Sequence, residues 1–459
     1  MTLKEPVFDF IGVGVGPANM SLAALSAPLS GCRARFYDSR ARFAWHPGLL
    51  FPESFIQTSY LKDLVTPVDP TSRYSFLAFL VAKRRFYSFL TAAFPQVSRA
   101  EFGQYMAWVA DALPNLAFDC PVLAVEHRGD AWQVTTPGGA ARAGDIVLGT
   151  GLRPHVPGFA RRFVGPTLHH AIEFGHHKPA IANRRVAVIG GGQSGAELVN
   201  HLLLDRDALP SKLLWAGRRE GFPPLDDSPF ANELFTPSYS DRFQSLGAAE
   251  QRRLLTLQTL TSDGVSMSLL EDLYRRLYQL QFIEHKQPAQ LLPGFELVGV
   301  ERGASGQGWD LELCSQRGAR IVERVDVVIL ATGHRYQIPA CLDPIKHRID
   351  RDGDALRVRD DFSVVWDGPA HSRIFLQNGA RHQRGVADPN LSLLAWRSAM
   401  ILNALAGRCV YDCAAAESII DWAGLPLAAP PALAHDRHPA SRPLRPTHDA
   451  PEIRSYTHV

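Results

Sequence analysis

Short apolar runs that stop at glycine set the rhythm of this chain. Phe8 to Ile11 runs into Gly12-Val13-Gly14-Val15-Gly16-Pro17, and Val186 to Ile189 runs into Gly190-Gly191-Gly192-Gln193-Ser194-Gly195. Each run reads as a buried strand, and each glycine turn opens onto helix-like periodicity, over Ala18 to Ala27 in the first case. A further strand, Ala34 to Tyr37, ends in Asp38, and its counterpart Leu213 to Trp215 ends in Gly217-Arg218-Arg219. The order strand, glycine turn, helix, strand is thus written twice. From about Trp45 to Asn115 the pattern is aromatic and helical, an insertion within the first unit. Short strands near Val122 to Glu126 and Trp132 to Thr135 follow, then Asp145 to Leu148 and the turn Gly149-Thr150-Gly151. From Ser228 a mostly helical stretch extends to about Ile283. Strands are expected around Phe295 to Val300, Trp309 to Leu313 and Asp326 to Leu330, and Leu376 to Asn403 passes from strand to helix.

The predicted fold class is α/β: two Rossmann-like dinucleotide-binding domains, for FAD and NADPH, with a small, mainly helical substrate-binding insertion. Residues 1–160 are assigned to the first part of the FAD-binding domain and 161–227 to the first part of the NADPH-binding domain. Residues 228–283 form the helical substrate region, 284–335 return through the NADPH domain toward the FAD domain, and 336–425 complete the latter. The stretch 426–459, dense in Pro, Ala, His and Arg, lacks a core pattern and reads as a flexible tail whose His435, His438 and His448 are solvated.

Composition narrows the chemistry. A chain of 459 residues, 46% hydrophobic and 20% charged, has the balance of a soluble enzyme with two or three domains. A formal net charge of +2 supplies no field for nucleic acid or an anionic membrane, so small-molecule partners are expected. The six cysteines (Cys32, Cys120, Cys314, Cys341, Cys409, Cys413) show no C-x-x-C pair and no metal-ligand spacing. Reduced thiols and no metal are expected, and a dithiol reductase is disfavoured. No apolar run is long enough to span a bilayer, and a cleaved leader would remove the first strand, so the chain is read as cytoplasmic.

Glycines at such turns let backbone N–H groups approach a pyrophosphate at a helix N-terminus, which assigns Gly12, Gly14, Gly16 and Pro17 to one dinucleotide and Gly190, Gly192 and Gly195 to another. The carboxylate of Asp38 suits the adenosine ribose of FAD and would repel a 2′-phosphate. Arg218 and Arg219, with no carboxylate before Glu220, instead favour the 2′-phosphate of NADPH.

The order of further motifs carries a resemblance. Trp45-His46-Pro47-Gly48, then Gln57-Thr58-Ser59-Tyr60-Leu61-Lys62-Asp63-Leu64, then Gly190 to Glu197, then Asp226-Asp227-Ser228-Pro229-Phe230-Ala231-Asn232-Glu233, then Asp326 to His334 resembles the microbial N-hydroxylating flavin monooxygenases. These are the lysine N6- and ornithine N5-hydroxylases and their diamine-hydroxylating relatives, and the resemblance covers about residues 7–424. It implies that NADPH reduces FAD, O2 adds to give a C4a-hydroperoxyflavin, and the distal oxygen passes to a neutral primary amine. It also implies roles for residues. Trp45 and His46 fall in the FAD-binding segment, and Gln57 lies near the flavin's reactive edge. Lys62 matches the lysine that holds the amino-acid carboxylate, and Asn232 an asparagine on the substrate and NADP side. Gln193 and Ser194 match nicotinamide-phosphate contacts, Arg218 the 2′-phosphate arginine, Asn390 and Leu391 flavin contacts, and Ser392 a position beside the substrate. His170 falls at a linker histidine between the domains. Ser262, in Thr261-Ser262-Asp263-Gly264, stands where the ornithine enzymes have asparagine; with Ala387 to Leu393 it resembles the lysine and diamine branch.

The reading is N-hydroxylation of the terminal amine of L-lysine or of a diamine such as putrescine or cadaverine, for a hydroxamate siderophore, in a homo-oligomer that the resemblance makes tetrameric. Its rivals are a flavin monooxygenase acting on sulfur, a tertiary amine or a ketone, and a flavin-bound redox sensor without substrate.

Overall fold

The computed structural model describes residues 7–304, 306–414 and 418–422; the expected tail, with His435, His438 and His448, lies outside them. Two parallel sheets dominate, as the doubled pattern predicts. In the first, the strands Leu116–Ala117, Ala34–Tyr37, Val7–Val13, Gly139–Leu148 and Ile374–Leu376 lie side by side in parallel. Ala124–Arg128 and Ala131–Thr136 form an antiparallel ribbon on the early half of Gly139–Leu148. The helix Pro17–Ser26 is buried over nearly its whole length because it is sandwiched between this sheet and the helix Leu394–Ala406. Its apolar residues therefore run without amphipathic interruption.

The second sheet is five-stranded and parallel, in the order Ala289–Pro293, Lys212–Gly217, Arg185–Ile189, Val327–Leu330 and Leu168–His170. The strands Phe295–Arg302, Trp309–Ser315 and Arg320–Val325 make a separate antiparallel meander. Its apolar face (Leu297, Val300, Trp309, Leu311, Leu313) packs on Ala187, Leu214 and Val328 of the second sheet. These strands thus cover the second nucleotide fold, and the chain turns toward the first domain only after Leu330.

The aromatic insertion supplies the helices Phe76–Ala82, Phe86–Ala92 and Arg99–Ala112, whose Phe76, Phe79, Phe102 and Tyr105 join the core of the first domain. Its leading loop behaves differently: Leu49 and Phe51 are buried in the core of the second. The connection from Gly217 to Ala289 also serves both domains. Phe235 packs into the first core, whereas the helix Met267–Tyr278 packs on Gln193–Leu202 through Leu269 and Leu273, with Arg276 Nε donating to Asn200 Oδ1 at 2.9 Å. That helix is the crossover a parallel strand pair requires. No helix among the described residues is long and apolar enough to cross a membrane.

Candidate active site

At the first fingerprint the glycines are sterically compelled. A Cβ on Gly12 would lie 2.1 Å from the Phe36 ring, and one on Gly14, whose φ is +88°, would lie 2.7 Å from Gly149 O. The helix Pro17–Ser26 starts from Gly16 with no side-chain cap and with proline at its first turn. The helices at Phe76, Arg99, Pro229 and Pro237 instead start from a Ser or Thr hydroxyl that accepts a backbone N–H. An uncapped glycine start leaves N–H groups and the positive end of the helix dipole for a phosphate, so the turn fits a dinucleotide.

Asp38 stands where the ribose is expected, but its carboxylate already has protein partners. Oδ2 accepts from Val15 N at 2.7 Å and from Arg40 Nη2 at 2.8 Å, and Oδ1 accepts from Arg40 N and Nε at 2.8 and 2.9 Å. Burial pushes the carboxyl pKa up, but the Arg40 and Val15 hydrogen bonds outweigh it and hold the group below the ordinary carboxylate range.

Beneath the turn runs a buried polar chain absent from the sequence reading. Asn19 Nδ2 donates to Gly14 O at 2.8 Å, and Gln377 Nε2 donates to Asn19 Oδ1 at 2.9 Å. Arg397 reaches Gln377 Oε1 at 3.4 Å and pairs with Asp388 Oδ1 at 3.0 Å, both charged side chains being buried. The discoverable signal was an arginine inside the apolar helix pattern Leu394-Ala395-Trp396-Arg397. The network ties the phosphate turn to the loop carrying Asn390, Leu391 and Ser392. There Asn390 Oδ1 accepts from Ser392 N at 2.9 Å and Ser392 Oγ at 2.7 Å, capping the turn Leu391–Leu393.

The second fingerprint repeats the design. A Cβ on Gly190 (φ +132°) would lie 2.0 Å from Ala331 O, and one on Gly195 2.0 Å from Gly190 O. The helix Gln193–Leu202 starts from uncapped Gly192, with Ser194 in its first turn. Arg218 is exposed at the end of Lys212–Gly217, as a 2′-phosphate contact requires. Arg219 is engaged elsewhere, its Nη1 donating to Asp263 O at 2.8 Å.

The two domains meet around the Trp45–Gly48 loop. Gly48 lies so close to the linker that a Cβ there would come within 1.7 Å of Ile172 O. Arg99 forks onto Glu197 of the second nucleotide helix at 2.8 and 3.0 Å, and Gln193 Nε2 donates to the same carboxylate at 3.0 Å. Trp45 lies between Phe102 and His46, with ring centroids 5.9 and 5.1 Å away and ring planes tilted by 58° and 55°. The His46 side chain is exposed at the start of the turn Pro47–Leu49. The surrounding protein, with the charges of Arg99, His334 and Arg40, pushes its pKa down to about 3 and favours the neutral imidazole. His170 accepts Ile172 N at Nδ1 and lies 3.1 Å from Gly333 O through Nε2, so it pins the interdomain linker to the turn after Leu330.

On the substrate side, Gln57 is exposed, and Lys62, half-buried, extends its Nζ to 3.5 Å from Phe235 O. Burial lowers the Lys62 pKa from the ordinary lysine value against the pull of Glu233. Asn232, exposed, donates from Nδ2 to Asp227 O at 2.9 Å and directly precedes the turn Glu233–Phe235. Lys62 and the Asn232 segment therefore converge. Ser262 stands with a different set: its Oγ bonds Asp263 Oδ1 at 2.8 Å and accepts from Arg381 Nη2 at 3.1 Å, in the turn whose Asp263 O is 3.8 Å from where a Gly192 Cβ would lie.

This geometry has counterparts. The profile of L-lysine 6-monooxygenase/L-ornithine 5-monooxygenase matches residues 6–336. The chain is 39% identical to the L-lysine N6-monooxygenase of Escherichia coli, over 92% of this chain and 99% of that protein. The crystal structure of the FAD-bound cadaverine monooxygenase of the desferrioxamine pathway from Erwinia amylovora superposes with a TM-score of 0.85 at 31% identity, covering 94% of this chain and 99% of that one. The ornithine N-hydroxylase of Kutzneria sp. 744, with reduced FAD, NADP+ and L-ornithine, gives a TM-score of 0.80 at 29% identity over 87% and 99%. The chain belongs to the L-lysine 6-monooxygenase/L-ornithine 5-monooxygenase family.

Proposed function

We propose that this protein is an FAD- and NADPH-dependent monooxygenase that hydroxylates the terminal primary amine of L-lysine, or of an aliphatic diamine, with O2, for a hydroxamate siderophore. The observation that carries the reading is the approach of Lys62 Nζ to the turn that follows Asn232, which joins the two segments named for substrate across 173 positions of sequence. FAD would be held by Gly12, Gly14, Gly16, Pro17 and Asp38, with Trp45, His46, Gln57, Asn390 and Leu391 toward its ring. NADPH would be held by Gly190, Gly192, Gln193, Ser194, Gly195 and Arg218. When bound, the flavin supplies oxygen activation and the nicotinamide the hydride.

The residues of the chain orient and exclude. Lys62 and Asn232 fix the substrate end distant from the reacting amine, while Ser392 caps the flavin-side loop with Asn390 and Ser262 stands beside the second fingerprint. His46, with its lowered pKa, offers no readily released proton, which suits chemistry that a stray acid would waste. Relatives carry names for lysine, putrescine and cadaverine, which supports a primary alkyl amine as the substrate class. We further infer a homo-oligomer, a tetramer by likeness, in the cytoplasm; sedimentation tests the former.

Hydroxylamine, NADPH and O2 are to be measured with FAD-loaded protein given lysine, ornithine, putrescine, cadaverine and diaminopropane separately. Coupled hydroxylamine from one amine is expected; NADPH oxidation yielding only H2O2 with all five rejects the reading. Lys62→Ala should retain FAD and lose coupling with an amino acid, while a diamine would be indifferent to it.

A further inference from the structure

The 3-10 turn Glu233–Phe235 presents an anion beside the cation that reaches it. Lys62 Nζ lies 3.5 Å from the carbonyl at the end of this turn, and Glu233 begins it. Both side chains are half-buried, and among the described residues they close no ion pair with each other. The Glu233 carboxylate is restrained from behind: Ser418 Oγ donates to its Oε2. The same short segment packs Trp422 on Tyr239, with ring centroids 4.7 Å apart, so residues 418–422 lie over the helix Pro237–Gln244 and anchor the carboxylate. A cation and an anion held close together without collapsing onto each other complement a ligand that carries both charges on one carbon. An α-amino acid is such a ligand. A diamine is not, since its second ammonium suits Glu233 but meets Lys62 as a like charge.

We propose that Glu233 is a specificity-determining residue that receives the α-ammonium of an amino-acid substrate while Lys62 receives its α-carboxylate, with Ser418 as the positioning residue for Glu233. This rests on the hydroxylase reading and sharpens it: the clamp selects L-lysine over cadaverine, which is lysine without its carboxylate. The field of Glu233 is felt at Lys62, where it opposes the effect of burial, as expected of neighbouring charges that do not touch. Burying a carboxylate beside a substrate ammonium makes a charge-assisted hydrogen bond, and losing it should cost about tenfold or more in affinity.

The test uses full-length, FAD-loaded protein with NADPH and compares lysine with 6-aminohexanoate, which keeps the carboxylate and the terminal amine but lacks the α-ammonium. The wild-type protein should prefer lysine in kcat/KM by about tenfold or more, and Glu233→Gln should narrow that ratio to near unity. Ser418→Ala should narrow it partway, and serves as the second variant where Glu233→Gln folds poorly. Equilibrium binding of lysine to the oxidised enzyme with NADP+ should weaken by the same factor in Glu233→Gln at unchanged FAD content. An equal loss on both substrates, no loss on either, or better coupling with cadaverine than with lysine in the wild-type protein overturns the clamp. Failure of the wild-type protein to make hydroxylamine from any amine overturns the hydroxylase reading and the clamp together, whereas lysine hydroxylation with an unaltered ratio in both variants overturns the clamp alone.

Discussion

Histidines that are neutral where they lie carry a measurable consequence. His170 is buried beside His334, and that burial with the His334 charge pushes its pKa down to about 4; His169, fully buried, is also pushed down to about 4. An unfolded histidine titrates near 6.5. Below that pH the unfolded chain takes up protons that the native site refuses, so the stabilisation is complete above about 6.5 and is lost as the pH falls toward 4. Each group contributes a slope of about 1.4 kcal/mol per pH unit within this window. His170→Gln should therefore flatten the pH dependence of urea unfolding between pH 6 and 4.5 by about one proton, and an unchanged slope would refute the assignment. This property could not be read from sequence: Leu168-His169-His170-Ala171 shows a linker, and only packing shows that its imidazoles are dry. Asp38 teaches the same lesson from the other side. Its place at the strand end was legible, but Arg40, two residues on, gave no sign that it would fork onto the carboxylate.

At the scale of elements, the glycine starts and the interdomain fork make separable predictions. Gly14→Ala and Gly190→Ala each force a Cβ into a carbonyl oxygen from a positive φ, so each should lower the melting temperature and abolish retention of its own dinucleotide. FAD content after gel filtration reads the first, and NADP+ titration of the purified flavoprotein reads the second. Arg99→Leu leaves Glu197, whose side chain is 2% exposed, without its cation, a loss of about 3–5 kcal/mol that denaturation should register. The doubled strand and glycine pattern made both nucleotide folds legible, because period and turn chemistry are local. What stayed hidden is what depends on contacts between distant segments. The helix Met267–Tyr278 looked like part of a substrate region because its own sequence is amphipathic; only its seat on Gln193–Leu202 identifies it as the crossover helix. Ser262 likewise stands with Asp263 and Arg381 beside the second fingerprint, a neighbourhood that its position in the sequence does not show.

For the whole molecule, the proposed chemistry asks for a neutral amine at the reacting end of the substrate and a charged Lys62 at the other. A lysine-type amine has an ordinary pKa of about 10.4, so kcat/KM should climb toward alkaline pH, roughly tenfold per unit where only the neutral amine reacts. Burial holds the Lys62 pKa below that of a free lysine, so its charge, and with it the grip on a carboxylate, is lost first as pH rises. The profile for lysine should therefore turn over at high pH while that for cadaverine keeps rising. A flat profile, or the same turnover for both amines, would show that amine ionisation and Lys62 do not control the rate.

The second domain is threaded inside the first. The strand Ile374–Leu376 pairs with Gly139–Leu148, and the helix Leu394–Ala406 covers Pro17–Ser26, whereas the inner sheet receives its last strand at Val327–Leu330. A ribosome therefore releases everything the inner fold needs well before the outer one can close. During synthesis the flavin turn waits open, its glycines presented on an unfinished sheet, until residues near Ala406 emerge. A nascent chain arrested after Leu330 should already protect its inner sheet from protease, yet carry no flavin.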